Sequence, residues 1–292
     1  MQVVNNYLEM MKFRISMLVM LTGYLGFYLG LRSQGLLSID YYDKLVYLLI
    51  GMFLSSSGCA VLNQYLEKDF DAQMKRTKNR PIPSNRVLPL NALLFGSILC
   101  VFGVFFVYQT INNLTAFICL LTIVLYLFVY TPSKRFSTFN TLIGSIPGAL
   151  PVLGGWTAAT NQINSISWIL FSILFCWQIP HFLAIAIIYA QDYKDGGFKM
   201  LPSEYPNSKH TQYHVLFFSI AMIGTSLGLY FVKAVDFGYF LGISIIIIFF
   251  LIIVTQFLKD TSNKNAKKLM LATLFYFPLM FILIILDILN LI

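Results

Sequence analysis

A chain of 292 residues with 58% apolar and only 11% charged side chains carries less than half the charge of a soluble domain, about 25%. That composition calls for an all-α polytopic membrane protein and excludes a water-soluble one. The net charge of +8 then reads as loop cations that set topology, so membrane lipids are expected as neighbours and nucleic acid is not.

About 20 apolar residues cross a bilayer. On that measure nine spans are predicted, at 15–31, 45–66, 89–109, 114–131, 140–160, 166–189, 213–233, 236–257 and 269–290. The first follows Lys12 and Arg14 without a small-residue cleavage site, so it reads as a retained span and not a signal peptide. Of the 20 Lys and Arg residues, all but Arg32, Lys44 and Lys233 fall before span one or around the loops after spans two, four, six and eight. The positive-inside rule places these segments in the cytoplasm, most simply beneath a bacterial inner membrane. No linker or shift in composition divides the chain, and a single domain over 1–292 is expected. Cys59, Cys100, Cys119 and Cys176 lie in apolar runs without C-x-x-C spacing and read as small core hydrophobes.

Span two ends in NQYLEKDFDAQMKRTKNRP, residues 63–81. Charge near a membrane interior is costly and marks function, yet here Glu67, Asp69 and Asp71 crowd the end of an apolar run. Asn63, Glu67 and Asp71 stand at i, i+4 and i+8, one face of a helix. Like charges so spaced repel, so a cation is expected between them. Arg76, Lys78 and Arg80 follow at once. Lys134 and Arg135 lie beside the membrane after span four, whereas Tyr126 and Tyr130 read as interfacial aromatics.

Span six ends in a second acidic motif, WQIPHFLAIAIIYAQDYKDGGFKMLP, residues 177–202. Asp192 and Asp195 share a helical face before Gly196 and Gly197 stop the helix. On a continuous helix His181, eleven residues earlier, returns to nearly the same azimuth about 16 Å deeper.

Carboxylates converging from two helix ends suit Mg²⁺, which takes one or two carboxylates and completes its shell with water and substrate phosphate. Asn63, Glu67, Asp71, Asp192 and Asp195 are the candidate ligands. Arg76, Lys78, Arg80, Lys134 and Arg135 are the candidate phosphate contacts, since guanidinium forks match phosphate oxygens. Metal and cations together stabilise a departing diphosphate. The motifs therefore point to group transfer from a lipid diphosphate inside a dry pocket.

These residues resemble the UbiA-type intramembrane prenyltransferases. The family's N-x3-D-x3-D motif is matched by Asn63, Glu67 and Asp71, with Glu67 where the family has Asp. KRTKNRP at 75–81, KFRISMLVMLTGYLGF at 12–27 and YTPSKRFSTFNTLIGSIPGALPVLGGW at 130–156 are similar to signatures of its heme-prenylating branch. WQIPHF at 177–182 followed by DYKDGGFKMLP is the most discriminating match. The resemblance implies nine helices around a central cavity, with Mg²⁺ as cofactor and farnesyl diphosphate and protoheme IX as substrates. The expected reaction is farnesylation of a heme vinyl group with addition of water, giving heme O, with a handoff to heme A synthase or terminal oxidase assembly. His181 is expected at the acceptor site, imidazole being a usual ligand of heme iron, and Arg14 near a heme propionate or lipid phosphate. Prenylation of a quinone precursor is the alternative within the family. A cation-coupled transporter is the alternative outside it.

Overall fold

The computed structural model describes residues 2–36, 41–206 and 208–288, with the side chain of residue 288 left aside. These residues hold helices and turns and no strand. Among them nine helices are long and apolar enough to cross a membrane. Eight of the nine are single helices. They are α2 (Phe13–Ser33), α3 (Tyr42–Asp71), α4 (Pro89–Thr110), α7 (Asn140–Thr160), α8 (Ser165–Ile188), α11 (His210–Phe231), α12 (Phe237–Lys259) and α13 (Asn263–Ile288). The remaining span, Asn113–Phe136, is composite. It runs from α5 (Asn113–Val124) through a π-helical turn (Leu125–Tyr130) into α6 (Thr131–Phe136). Each span predicted from hydropathy falls on one of these helices, with ends that differ by up to six residues, as at the start of α13; positions 289–290 of the predicted ninth lie outside the described residues.

Local chemistry sets the helix ends. Pro89 opens α4, where its missing N–H has no partner to lose. Asn112 caps α5 by accepting from Thr115 N at 2.8 Å, and Asn164 with Ser167 forms a reciprocal capping box on α8. Close helix contacts depend on missing side chains. A Cβ on Gly26 would run into the Val152 carbonyl, and one on Gly155 into the Gly23 carbonyl. The α2–α7 contact is therefore backbone against backbone, the small-residue packing of membrane helices.

Three short helices complete the fold: α1 (Gln2–Met10), α9 (Ala190–Asp195) and α10 (Leu201–Glu204). Before the first span, α1 exposes Val3, Val4 and Leu8 and buries Asn6 and Met10, an amphipathic helix suited to an interface. Arg86 ties it down, donating to both Glu9 oxygens at 2.8 and 3.0 Å and to Asn6 Oδ1 at 2.9 Å. Nothing in hydropathy announced this helix.

The expectation of a continuous span six is corrected. Span six is not a continuous helix as far as Asp195. It ends at Ile188, Tyr189 takes φ −110° and ψ 27°, and α9 starts anew. The azimuth argued for His181 and Asp192 therefore does not hold, because the helix axis changes between them.

At the end of the bundle away from α1, Arg32 closes α2 onto α13. Its Nη1 donates to Asp287 Oδ2 at 3.0 Å, and Asp287, fully buried, also accepts Asp236 N at 3.0 Å. Asp287→Ala takes from Arg32 its buried partner, leaving it only the exposed Asp236 at 3.4 Å, and strands one backbone N–H. We expect a loss of about 3 kcal/mol, read as a lower Tm in detergent, with Asp287→Asn losing less because it still accepts from Asp236.

Candidate active site at the carboxylate end of the bundle

Asn63, Glu67 and Asp71 occupy the last three turns of α3 on its inward face, at 2%, 4% and 0% exposure. They line a cavity of about 120 Å³. Each is held by a neighbour. Asn63 Nδ2 donates to Thr131 Oγ1 at 3.2 Å. The Thr131 hydroxyl proton goes to the Tyr126 carbonyl at 2.8 Å, so the amide must present its NH₂ there, which turns its oxygen the other way. Glu67 Oε1 accepts Lys134 Nζ at 2.8 Å, and Asp71 Oδ2 accepts Arg80 Nη1 at 2.6 Å. Asp71 Oδ1 is buried with no hydrogen-bond partner, a costly arrangement for a carboxylate oxygen. Helix α3 stops there because Thr77 Oγ1 caps the Asp71 carbonyl at 2.8 Å.

The composite span supplies the opposite wall. Its π-helical turn widens the helix at the level of the carboxylates, as such turns often do at functional sites. Tyr126, Tyr130 and Lys134 line the cavity, and Lys134 Nζ lies 4.6 Å from the Tyr130 ring centre. Gly144 on α7 makes room for that ring, since a Cβ there would strike it. The interfacial role expected for both tyrosines is thus corrected: they face the site.

Arg76 also lines the cavity, its guanidinium between the rings of Tyr189 at 5.1 Å and Tyr193 at 5.5 Å. Those rings flank the helix break and join the two acidic motifs through a cation instead of an ion pair. The loop after α9 closes over this contact. Phe198 and Met200 pack on Met74, Lys199 N donates to the Lys134 carbonyl at 2.8 Å, and Asn140 Nδ2 donates to the Lys199 carbonyl at 2.7 Å.

Other candidates lie elsewhere. Lys78 and Arg14 are exposed and outside the cavity wall. Arg135 stacks on Phe70 at 3.8 Å and donates to the Leu66 carbonyl at 3.0 Å, docking α6 on α3. Asp192 is half-buried beside Tyr193, which does line the cavity. Asp195 is exposed and accepts Gln191 Nε2 at 2.7 Å. His181 stands on α8 against α13, its Nδ1 2.9 Å from Thr273 Oγ1. A second, larger cavity between α7, α8 and α11 is mainly apolar and holds none of the carboxylates.

Lys12, not Arg14, is the cation that α2 brings to the carboxylates. Lys12 immediately precedes α2 with a left-handed backbone, φ 47°, a conformation that nothing in the sequence marks. Enclosure, then the charge of Arg80, push the Lys12 ammonium down to about 7. The unfolded chain therefore binds more protons than the folded one between about pH 7 and 10. Stability of the metal-free protein rises through that window as the folded state sheds the charge. Lys12→Met lacks this slope, so in EDTA its Tm advantage over the parent is largest at or below pH 7 and shrinks towards pH 10.

Asp71 Oδ1, the outward-turned Asn63 oxygen and Glu67 make a hard oxygen set that fits a divalent ion. Among the described residues no three His, Cys, Asp or Glu side chains stand close enough to enclose a metal unaided. Mg²⁺, which keeps waters and recruits substrate phosphate, needs no such cage.

Residues 19–285 match the UbiA prenyltransferase family. The chain is 36% identical to the protoheme IX farnesyltransferase of Opitutus terrae, covering 97% of this chain and 94% of that one. It is 37% identical to that of Salinibacter ruber, covering 97% and 98%. Among solved structures, digeranylgeranylglyceryl phosphate synthase superposes with a TM-score of 0.81 at 19% identity, covering 98% of this chain and 99% of the other. An Archaeoglobus fulgidus UbiA homologue bound to DMAPP and Mg²⁺ gives 0.66 at 16% identity, covering 96% and 99%. With the family model spanning nearly the whole chain and the relatives covered end to end, this integral membrane protein belongs to the UbiA prenyltransferase family.

Proposed function

We propose that the protein transfers the farnesyl group of farnesyl diphosphate to a vinyl group of protoheme IX, with addition of water, giving heme O and diphosphate. One observation carries the reaction type. Asp71, whose Oδ1 is buried without a donor, lines a cavity that Lys12, Arg76, Arg80 and Lys134 line as well. The acceptor is supported by the near full-length likeness to proteins named protoheme IX farnesyltransferase.

In this reading Asn63, Glu67, Asp71 and, from α9, Asp192 hold Mg²⁺. When bound, the metal offsets negative charge that develops on the diphosphate as its carbon–oxygen bond breaks. Asp195 is left out of the set because its carboxylate is exposed and engaged by Gln191. Arg76, Arg80, Lys134 and Lys12 meet the phosphate oxygens, guanidinium forks being the better geometric match. The rings of Tyr126, Tyr130 and Phe198 in the same wall offer π faces to an allylic cation and keep bulk water from it. Lys78 and Arg14, pointing outward, meet lipid phosphate, and Arg135 keeps α6 docked on α3. His181 belongs to the acceptor side.

In this reading the site lies at the cytoplasmic face of a bacterial inner membrane, which the cation-rich loops support. Heme O leaving it would pass to a heme A synthase or to terminal oxidase assembly.

Purified protein incubated with protoheme, farnesyl diphosphate and Mg²⁺ tests the proposal by mass spectrometry. The expected product gains one farnesyl group plus water and disappears with EDTA. Unchanged heme beside a prenylated quinone precursor would overturn the acceptor and keep the reaction type. No product from either would overturn both.

A further inference from the structure

The edge of His181 that meets α13 decides which ring nitrogen is free. Nδ1 lies 2.9 Å from Thr273 Oγ1. That hydroxyl has a single proton, and α13 commits it: Oγ1 is 2.8 Å from the Met270 carbonyl and 3.0 Å from that of Leu269. This is the back-bonding a threonine makes within a helix, and Thr273 is fully buried. A hydroxyl whose proton is engaged by a carbonyl can only accept from a third partner. His181 Nδ1 therefore carries the proton and donates it to Thr273, and Nε2 keeps its lone pair.

The ring plane is fixed as well. Trp177, one turn earlier on α8, stacks on the imidazole at 5.4 Å with 14° between planes. Trp177 Nε1 donates to the Thr273 carbonyl at 2.6 Å. One residue of α13 thus holds both the hydrogen-bonded edge of the imidazole and the aromatic plate beside it.

We propose that Thr273 is a positioning residue for His181, locking the Nδ1–H tautomer so that Nε2 meets the porphyrin acceptor as an electron-pair donor and not as an N–H donor. This rests on the reading that His181 belongs to the acceptor site. Ligands of metal centres are held by such hydrogen bonds, and their loss costs about 10- to 100-fold in affinity or activity.

The chain has three histidines, so ¹⁵N-histidine labelling of the full-length protein in detergent resolves His181, assigned by its loss in His181→Ala. The expected spectrum shows Nδ1 protonated and Nε2 not; the opposite tautomer, or an even mixture, overturns the inference. Thr273→Val keeps the shape and removes the hydroxyl. It is expected to abolish the tautomer preference and raise the KM for protoheme about tenfold or more, leaving the KM for farnesyl diphosphate unchanged. Thr273→Ser restores both, which a packing role would not do because serine lacks the methyl group. A Thr273→Val protein with the parental tautomer and KM sinks the proposal. If His181→Ala itself leaves the protoheme KM unchanged, the acceptor assignment of His181 fails, while the tautomer spectrum still reports on Thr273 separately.

Discussion

Asp71→Asn lowers farnesyl transfer by on the order of 10³-fold, the loss expected when a site gives up a principal electrostatic contact of its transition state. The substitution is close to isosteric, and Arg80 keeps an oxygen to donate to at the position of Oδ2. What disappears is the negative charge on a buried carboxylate whose second oxygen, Oδ1, is itself fully buried without a donor. Binding of Mg²⁺ with the diphosphate weakens in parallel, measured as a loss of substrate-induced rise in Tm. Asp69→Asn is the control. Asp69 is two residues away, has its side chain 77% exposed, and pairs loosely with Lys68 at 3.6 Å, so it leaves turnover near the parental rate. Equal losses in the two variants would mean that general acidity at the helix end matters, and not the inward face of α3. Full activity in Asp71→Asn would remove the metal assignment altogether.

That face was readable before any coordinates because helix geometry is regular: positions 63, 67 and 71 must align wherever α3 remains a helix. The spans were readable for a similar reason, since bilayer thickness sets their length. What escaped was settled by long-range contacts. Lys12 and Arg14 are equally plausible as cations, and only the packing of α2 against the end of α3 selects Lys12. Tyr126 and Tyr130 were lost among 27 Phe and 17 Tyr residues, with no local mark of the π-helical turn that puts them on the cavity wall. The break at Tyr189 has no glycine or proline at the break itself. It moved Asp192 out of line with His181 and set the ring of Tyr193 beside Arg76. Arg135 looked identical in kind to Lys134, yet the Leu66 carbonyl and the Phe70 ring claim it.

The ion pairs within the cavity make a second large effect predictable, and its sign depends on magnesium. Lys134 is 15% exposed at its side chain and Glu67 5%. Removing one partner of such a buried pair costs about 3–5 kcal/mol, because the other charge stays in a medium that solvates it poorly. Lys134→Met keeps an unbranched stem of similar length and deletes the ammonium that lies over the Tyr130 and Phe198 rings. In EDTA the variant therefore unfolds at a clearly lower temperature than the parent. Added Mg²⁺ supplies the missing positive charge at Glu67 and meets no competing ammonium, so the variant gains more stability from the ion than the parent does, and at lower concentration. Its KM for farnesyl diphosphate is nevertheless expected to rise, because the proposed function makes the ammonium a phosphate contact as well. Thermal unfolding across a Mg²⁺ titration of both proteins decides the matter. Converging curves at saturating Mg²⁺ mean that Lys134 and the metal share Glu67. Parallel curves mean that the ion binds away from Glu67, and the metal-holding set would have to be redrawn without it. Adding Glu67→Gln separates charge from packing: if the loss is electrostatic, the double variant regains most of its metal-free stability, the coupling expected of two groups in direct contact.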